Sequence, residues 1–165
     1  MPLLNNGDIF PGLGIRRAGG GMMNLPDDLR GVFGVVLIYR GAWCPFCNAQ
    51  LAAFERRSDK LDELGVRIVA FSVDGEPATS ALIEKHGLRF PVGFGADADA
   101  IAAATGAFVN DDPRYLQSTG FVLDPNGAVV TAVYSSGAIG RLVPDDVLGF
   151  VSHLKSKAPQ GAEAK

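Results

Sequence analysis

Histidine occurs twice, tryptophan once and cysteine twice in this 165-residue chain, and each scarcity excludes something. Two cysteines cannot build a disulfide scaffold. Two histidines, His86 and His153, with no recurrent metal-ligand spacing, give the cysteines no partners for a zinc site, and no metal or other cofactor is expected. Long hydrophobic runs are missing too. The apolar stretches fall far short of the ~20 residues that a membrane-spanning helix needs. Excess charge of either sign is absent: the formal net charge is −3, so nothing electrostatic favours nucleic acid or an anionic membrane. The first residues, Met1-Pro2-Leu3-Leu4-Asn5-Asn6-Gly7-Asp8, have neither a basic start nor a long apolar segment, so a signal peptide is not expected and a reducing cytoplasmic location is.

What is present is ordinary for a globular protein, 47% hydrophobic and 20% charged, and the length suits one domain over residues 1–157 with a small polar tail over 158–165. Residues 1–31 are rich in Gly, Pro and Asn and carry two apolar fragments, Gly12 to Ile15 and Met22 to Leu25, that predict a hairpin-like extension. Asp27-Asp28-Leu29-Arg30-Gly31 predicts one helical turn closed by glycine. Val32 to Tyr39 is nearly unbroken apolar sequence, as in a strand buried on both faces. A helix is predicted from about Pro45 to Leu64, with Cys47, Leu51, Phe54, Ser58 and Leu61 on one stripe and Gly65 as its stop.

The pattern continues with a strand over Val66 to Val73, a helix over Glu76 to His86 ended by Gly87, and a short strand near Pro91 to Phe94. A helix over about Ala98 to Thr105 follows. Gly120 to Leu123 and Ala128 to Tyr134 are strands joined by the turn Asp124-Pro125-Asn126-Gly127. A final helix, Pro144 to Lys157, buries Val147, Phe150, Val151 and Leu154. This order predicts an α/β fold, a mixed sheet with helices on both faces, whose first two core strands are parallel neighbours.

Both cysteines lie in Cys44-Pro45-Phe46-Cys47, at the predicted junction of the first core strand and the long helix. A helix N-terminus offers unpaired N–H groups and a partial positive charge, and both favour a thiolate over a thiol. Pro45 suits the first helical turn, where its missing N–H costs nothing. In such a dithiol the first sulfur is usually exposed and the second covered, so Cys44 is the expected nucleophile and Cys47 the resolving group.

Trp43-Cys44-Pro45-Phe46-Cys47 resembles the Trp-Cys-x-x-Cys element of the thioredoxin superfamily. The wider run Tyr39 to Cys47, together with Arg67 to Asp74, Phe90-Pro91-Val92 and Gly120 to Gly127, resembles the peroxiredoxin-like branch of the AhpC/TSA (redoxin) family, over roughly residues 7 to 155. The resemblance implies a thioredoxin-like fold and thiol-dependent oxidoreductase or antioxidant activity. It also implies a peroxide or disulfide substrate and thioredoxin or glutathione as electron donor. In the family's Pro-x-x-x-Thr-x-x-Cys pattern, Arg40 stands at the proline, Cys44 at the threonine and Cys47 at the peroxidatic cysteine. The family's later arginine would fall near Ser118, with Arg114 the closest arginine. A thioredoxin-type cis-proline would fall at Ser118 or Thr119, and neither supplies it.

Three readings follow: a dithiol–disulfide oxidoreductase led by Cys44, a strict peroxiredoxin led by Cys47, and a redox-sensing module without turnover. The substrate groove is expected to involve Trp43, Pro45, Arg40, Ser118 and Thr119. His86 is expected as a helix C-terminal cation and His153 as a solvated residue. Loops around Trp43 and Asp111-Asp112-Pro113 are the candidate edge of a homodimer.

Overall fold

A computed structural model of the protein describes residues 3–157; the predicted C-terminal tail lies outside them. The core strand is β3 (Phe33–Ile38), and Val35 through Tyr39 are fully buried, as a strand covered on both faces must be. It runs parallel to β4 (Val66–Phe71), which pairs in parallel with β5 (Val92–Phe94). On its other side β3 is antiparallel to β8 (Thr119–Leu123), which returns through the turn at Asp124 to Gly127 into β9 (Val129–Tyr134). Gly127 holds φ +86 in that turn, a conformation glycine adopts without strain.

The predicted N-terminal hairpin forms as β1 (Leu13–Arg17) and β2 (Met22–Leu25), and it joins the sheet directly, with β1 antiparallel to β5. The order across seven strands is β2-β1-β5-β4-β3-β8-β9. Gly93 permits the junction of hairpin and sheet. A Cβ there would lie 2.5 Å from Ile15 Cγ2, 3.1 Å from Phe71 Cβ and 3.2 Å from the Arg16 carbonyl. Gly93→Ala is therefore expected to lower stability by about 1–3 kcal/mol, read as a lower urea midpoint.

Alternation along the strands sends side chains to opposite faces. Val35, Leu37, Ile68, Ala70 and Val122 pack beneath α1 (Pro45–Arg56), α2 (Ser58–Glu63), α3 (Glu76–His86) and α5 (Pro144–Lys157). Val36, Ile38, Val69, Phe71 and Phe121 pack against α4 (Ala98–Thr105), the hairpin and Phe10. Both faces thus carry helix, as predicted.

Two elements differ from expectation. The long helix is broken at Arg57 (φ −102, ψ 5), where the Ser58 hydroxyl donates to the Glu55 carbonyl and competes with the helical ladder. A small separate hairpin, β6 (Val109–Asn110) with β7 (Tyr115–Leu116), forms where none was predicted. Among the described residues no helix is long and apolar enough to cross a membrane.

Candidate active site

The chain leaves β3, passes Tyr39 to Trp43, and enters α1 with Cys44 as the capping residue (φ −89, ψ 114) and Pro45 in the first turn. A cap normally uses a serine, threonine or aspartate oxygen to satisfy an orphan N–H. Here the acceptor is sulfur: Cys47 N–H donates to Cys44 Sγ at 3.2 Å. Any negative charge on that sulfur also meets the positive end of the helix.

Both thiols are free and have no solvent exposure, which corrects the expectation of an exposed first sulfur. Cys44 is the shallower of the two, and its cover has a definite composition. Arg40 Nη1 lies 3.7 Å from Cys44 Sγ. The same guanidinium donates from Nε to Gln117 Oε1 at 3.0 Å and from Nη2 to the Tyr115 hydroxyl at 2.9 Å. It sits 5.0 Å from the Trp43 ring centroid and 5.2 Å from that of Tyr115. The two rings meet edge to face at 4.9 Å. Trp43 remains 54% exposed on the outside of this cover.

Cys47 Sγ accepts from the Arg40 N–H at 3.3 Å and from Arg141 Nη1 at 3.4 Å. Arg141, in the loop between β9 and α5, also donates to Ser118 Oγ at 2.8 Å and to the Ala138 carbonyl. No local motif marks it, because Cys47 is 94 positions away in sequence. Arg114, the arginine the sequence offered near Ser118, instead pairs with Asp99 and Asp111 at the surface. Tyr115, Gln117 and Asp74, which accepts the Ala42 N–H at 2.7 Å, were likewise not singled out from the sequence.

The predicted groove residues divide. Arg40, Trp43, Pro45 and Ser118 gather around the two sulfurs. Thr119 does not: it is buried at the start of β8 with its hydroxyl committed to the Gln117 carbonyl. His86 departs from the expected helix-end cation: burial and the neighbouring Lys85 push its pKa down, and its ring contacts Asn48 on α1, while His153 is exposed as expected.

Burial pushes Cys44 up, but hydrogen bonds from the Cys47 thiol and N–H, from Arg40, and the charge of Arg141 outweigh it, so its pKa falls. Cys47 moves up, through burial and then through the proton it shares with Cys44, and its contacts with the Arg40 N–H and Arg141 only partly offset this. Tyr39, buried beside them, is pushed up to about 12 by desolvation.

These directions set the pH dependence of stability. A depressed Cys44 makes the unfolded chain the better proton binder between its folded pKa and the ordinary thiol value of about 8.5, so reduced protein gains stability as pH rises through that window. Above about 8.5 the raised Cys47 reverses the slope, and Tyr39 extends the decline beyond its ordinary value of 10.0. Reduced protein should therefore show a stability maximum near pH 8.5 that the 44–47 disulfide form lacks. Urea titrations of both forms across pH 6 to 10 check this expectation.

The AhpC/TSA family matches residues 7–132. A peroxiredoxin of Chlorobaculum tepidum is 31% identical over 94% of this chain and 74% of its own length. A peroxiredoxin of Thermotoga petrophila is 28% identical over 98% and 75%. Among solved structures, Mycobacterium tuberculosis AhpC superposes with a TM-score of 0.78 at 23% identity, covering 99% of this chain and all of that one. Peroxidoxin BcpB of the same organism gives 0.79 at 19% identity, covering 92% and 98%. These two likenesses support the fold, and the sequence matches support more: the chain belongs to the AhpC/TSA family and is a thiol-dependent oxidoreductase.

Proposed function

We propose that Cys44 and Cys47 are the redox centre, cycling between dithiol and internal disulfide, with Cys44 attacking and Cys47 resolving. The observation that carries this reading is the pair of donors around Cys44 Sγ: the Cys47 N–H at 3.2 Å and the Arg40 guanidinium at 3.7 Å. Both favour the anion.

With a disulfide substrate, the Cys44 thiolate forms a new S–S bond as the substrate's breaks and one thiolate leaves. Cys47 then gives up its proton and displaces the second. With a hydroperoxide, Cys44 attacks the distal oxygen and the O–O bond breaks. The alcohol or water departs with a proton, and the sulfenic acid condenses with the Cys47 thiol to release water. Both routes end in the 44–47 disulfide, which a thioredoxin or glutathione dithiol–thiol system re-reduces. Because both sulfurs are sealed, substrate must displace the Arg40–Trp43–Tyr115 cover, and the emission of Trp43 reports that step.

A second reading, in which Cys47 attacks peroxide and Cys44 resolves, is favoured by the Arg40 N–H and the Arg141 guanidinium on Cys47 Sγ. Trapping sulfenic acid in the single variants separates the two. Brief hydrogen peroxide exposure followed by a dimedone-type probe is expected to label Cys44 in Cys47→Ser faster than Cys47 in Cys44→Ser. The opposite order would establish the second reading.

A further inference from the structure

The peptide Ala42-Trp43-Cys44, which carries the shallower sulfur into α1, is pinned by two side chains, Asp74 and Asn48. Asp74, beyond β4, takes its first N–H. From α1, Asn48 Nδ2 donates both to the Ala42 carbonyl and to the Cys44 carbonyl, each at 2.8 Å. The Cys44 carbonyl also accepts the Asn48 N–H at 3.0 Å, opening the helical ladder. With both amide protons directed at carbonyls, Asn48 Oδ1 faces α3, where His86 Nε2 stands 2.6 Å away. Two acceptors cannot share that distance, so Nε2 carries the hydrogen and donates. Gaining or losing a proton at Nδ1 leaves this bond in place.

We infer that His86, acting through Asn48, is a positioning residue for Cys44. Its N–H fixes the orientation of the Asn48 amide, the amide fixes the Ala42 and Cys44 carbonyls, and the carbonyls hold Sγ on the Cys47 N–H. Without the His86 donor, the amide can turn its oxygen toward the carbonyls it now holds, and the sulfur loses its registered cap. The inference rests on Cys44 being the attacking thiolate.

The test measures the pH profile of Cys44 alkylation by iodoacetamide in full-length Cys47→Ser protein carrying His86, His86→Phe or His86→Gln, with thermal melts of each. The charged groups facing Cys44, Arg40 and Arg141, are the same in all three, as are Asp74 beside the loop and Lys85 beside His86. His86→Phe should move the midpoint up by about half a unit to one unit, with a roughly three- to tenfold lower rate at pH 7. His86→Gln should restore the parent profile, because its amide N–H reaches the same oxygen. Should His86→Phe fail to fold, His86→Asn, whose amide stops short of Asn48, should shift the midpoint in the same direction.

A His86→Phe profile superimposing on the parent overturns the inference. So does failure of glutamine to restore the profile while its melt is unchanged. A parent that titrates like a free thiol overturns the Cys44 assignment itself, and is thereby distinguished from failure of the clamp.

Discussion

Cys44→Ser should reduce thiol reactivity toward disulfide and peroxide at neutral pH by about two to three orders of magnitude, whereas Cys47→Ser should leave the first attack intact. The asymmetry comes from where the donors sit. In Cys44→Ser the remaining sulfur is the deeper one, its thiol raised by burial. In Cys47→Ser, Cys44 keeps the residue 47 N–H and Arg40, and the serine hydroxyl can replace the lost thiol donor. Alkylation of Cys47→Ser should stay within about threefold of wild type. What that variant loses is resolution: with no second sulfur, the mixed disulfide with substrate or glutathione accumulates and is visible as an intact-mass adduct. Equal loss of first attack in both variants would remove the division of roles.

The second large effect belongs to Arg141. One guanidinium reaches Cys47 Sγ, the Ser118 hydroxyl and the Ala138 carbonyl, and its charge lowers the pKa of both cysteines. Arg141→Met removes charge and donors together. Both thiols should then titrate higher, by about one to two units, with a roughly 10- to 100-fold fall in alkylation rate at pH 7. Arg141→Lys keeps the charge without the planar fork and should recover part of the loss. Arg40→Met acts more narrowly, because its guanidinium touches Cys44 while Cys47 depends on the Arg40 backbone N–H, which the substitution preserves. Separate titrations in the single-cysteine backgrounds distinguish the two arginines.

The sequence was most legible where structure is local. The buried run to Tyr39, the dithiol at its end, Pro45 in the first helical turn and the glycines at 65 and 87 each reflect one residue's chemistry acting on its neighbours. They placed the cysteine pair at the junction of β3 and α1, where the structure has it. The break at Arg57 was missed because the apolar stripe continues through it from Phe54 to Leu61, while the Ser58 hydroxyl interrupts the ladder.

The rest of the site depends on long-range juxtaposition. Tyr115 arrives on a two-residue strand too short to give a periodic signal. Arg141 arrives from an irregular loop, and His86 reaches Asn48 only because α1 and α3 lie on the same face of the sheet. Arg141 reaches the Ser118 hydroxyl from further along the chain, whereas Arg114, the closest arginine in sequence, serves a surface ion pair.

The most direct measurement is a pH titration of thiolate absorbance in the fully reduced protein and in each single-cysteine variant. One sulfur ionising below the free-thiol value of about 8.5, retained in Cys47→Ser and absent in Cys44→Ser, is the predicted result. Ionisation of both sulfurs only above the free-thiol range, or a low-pH step that survives in Cys44→Ser alone, would contradict it.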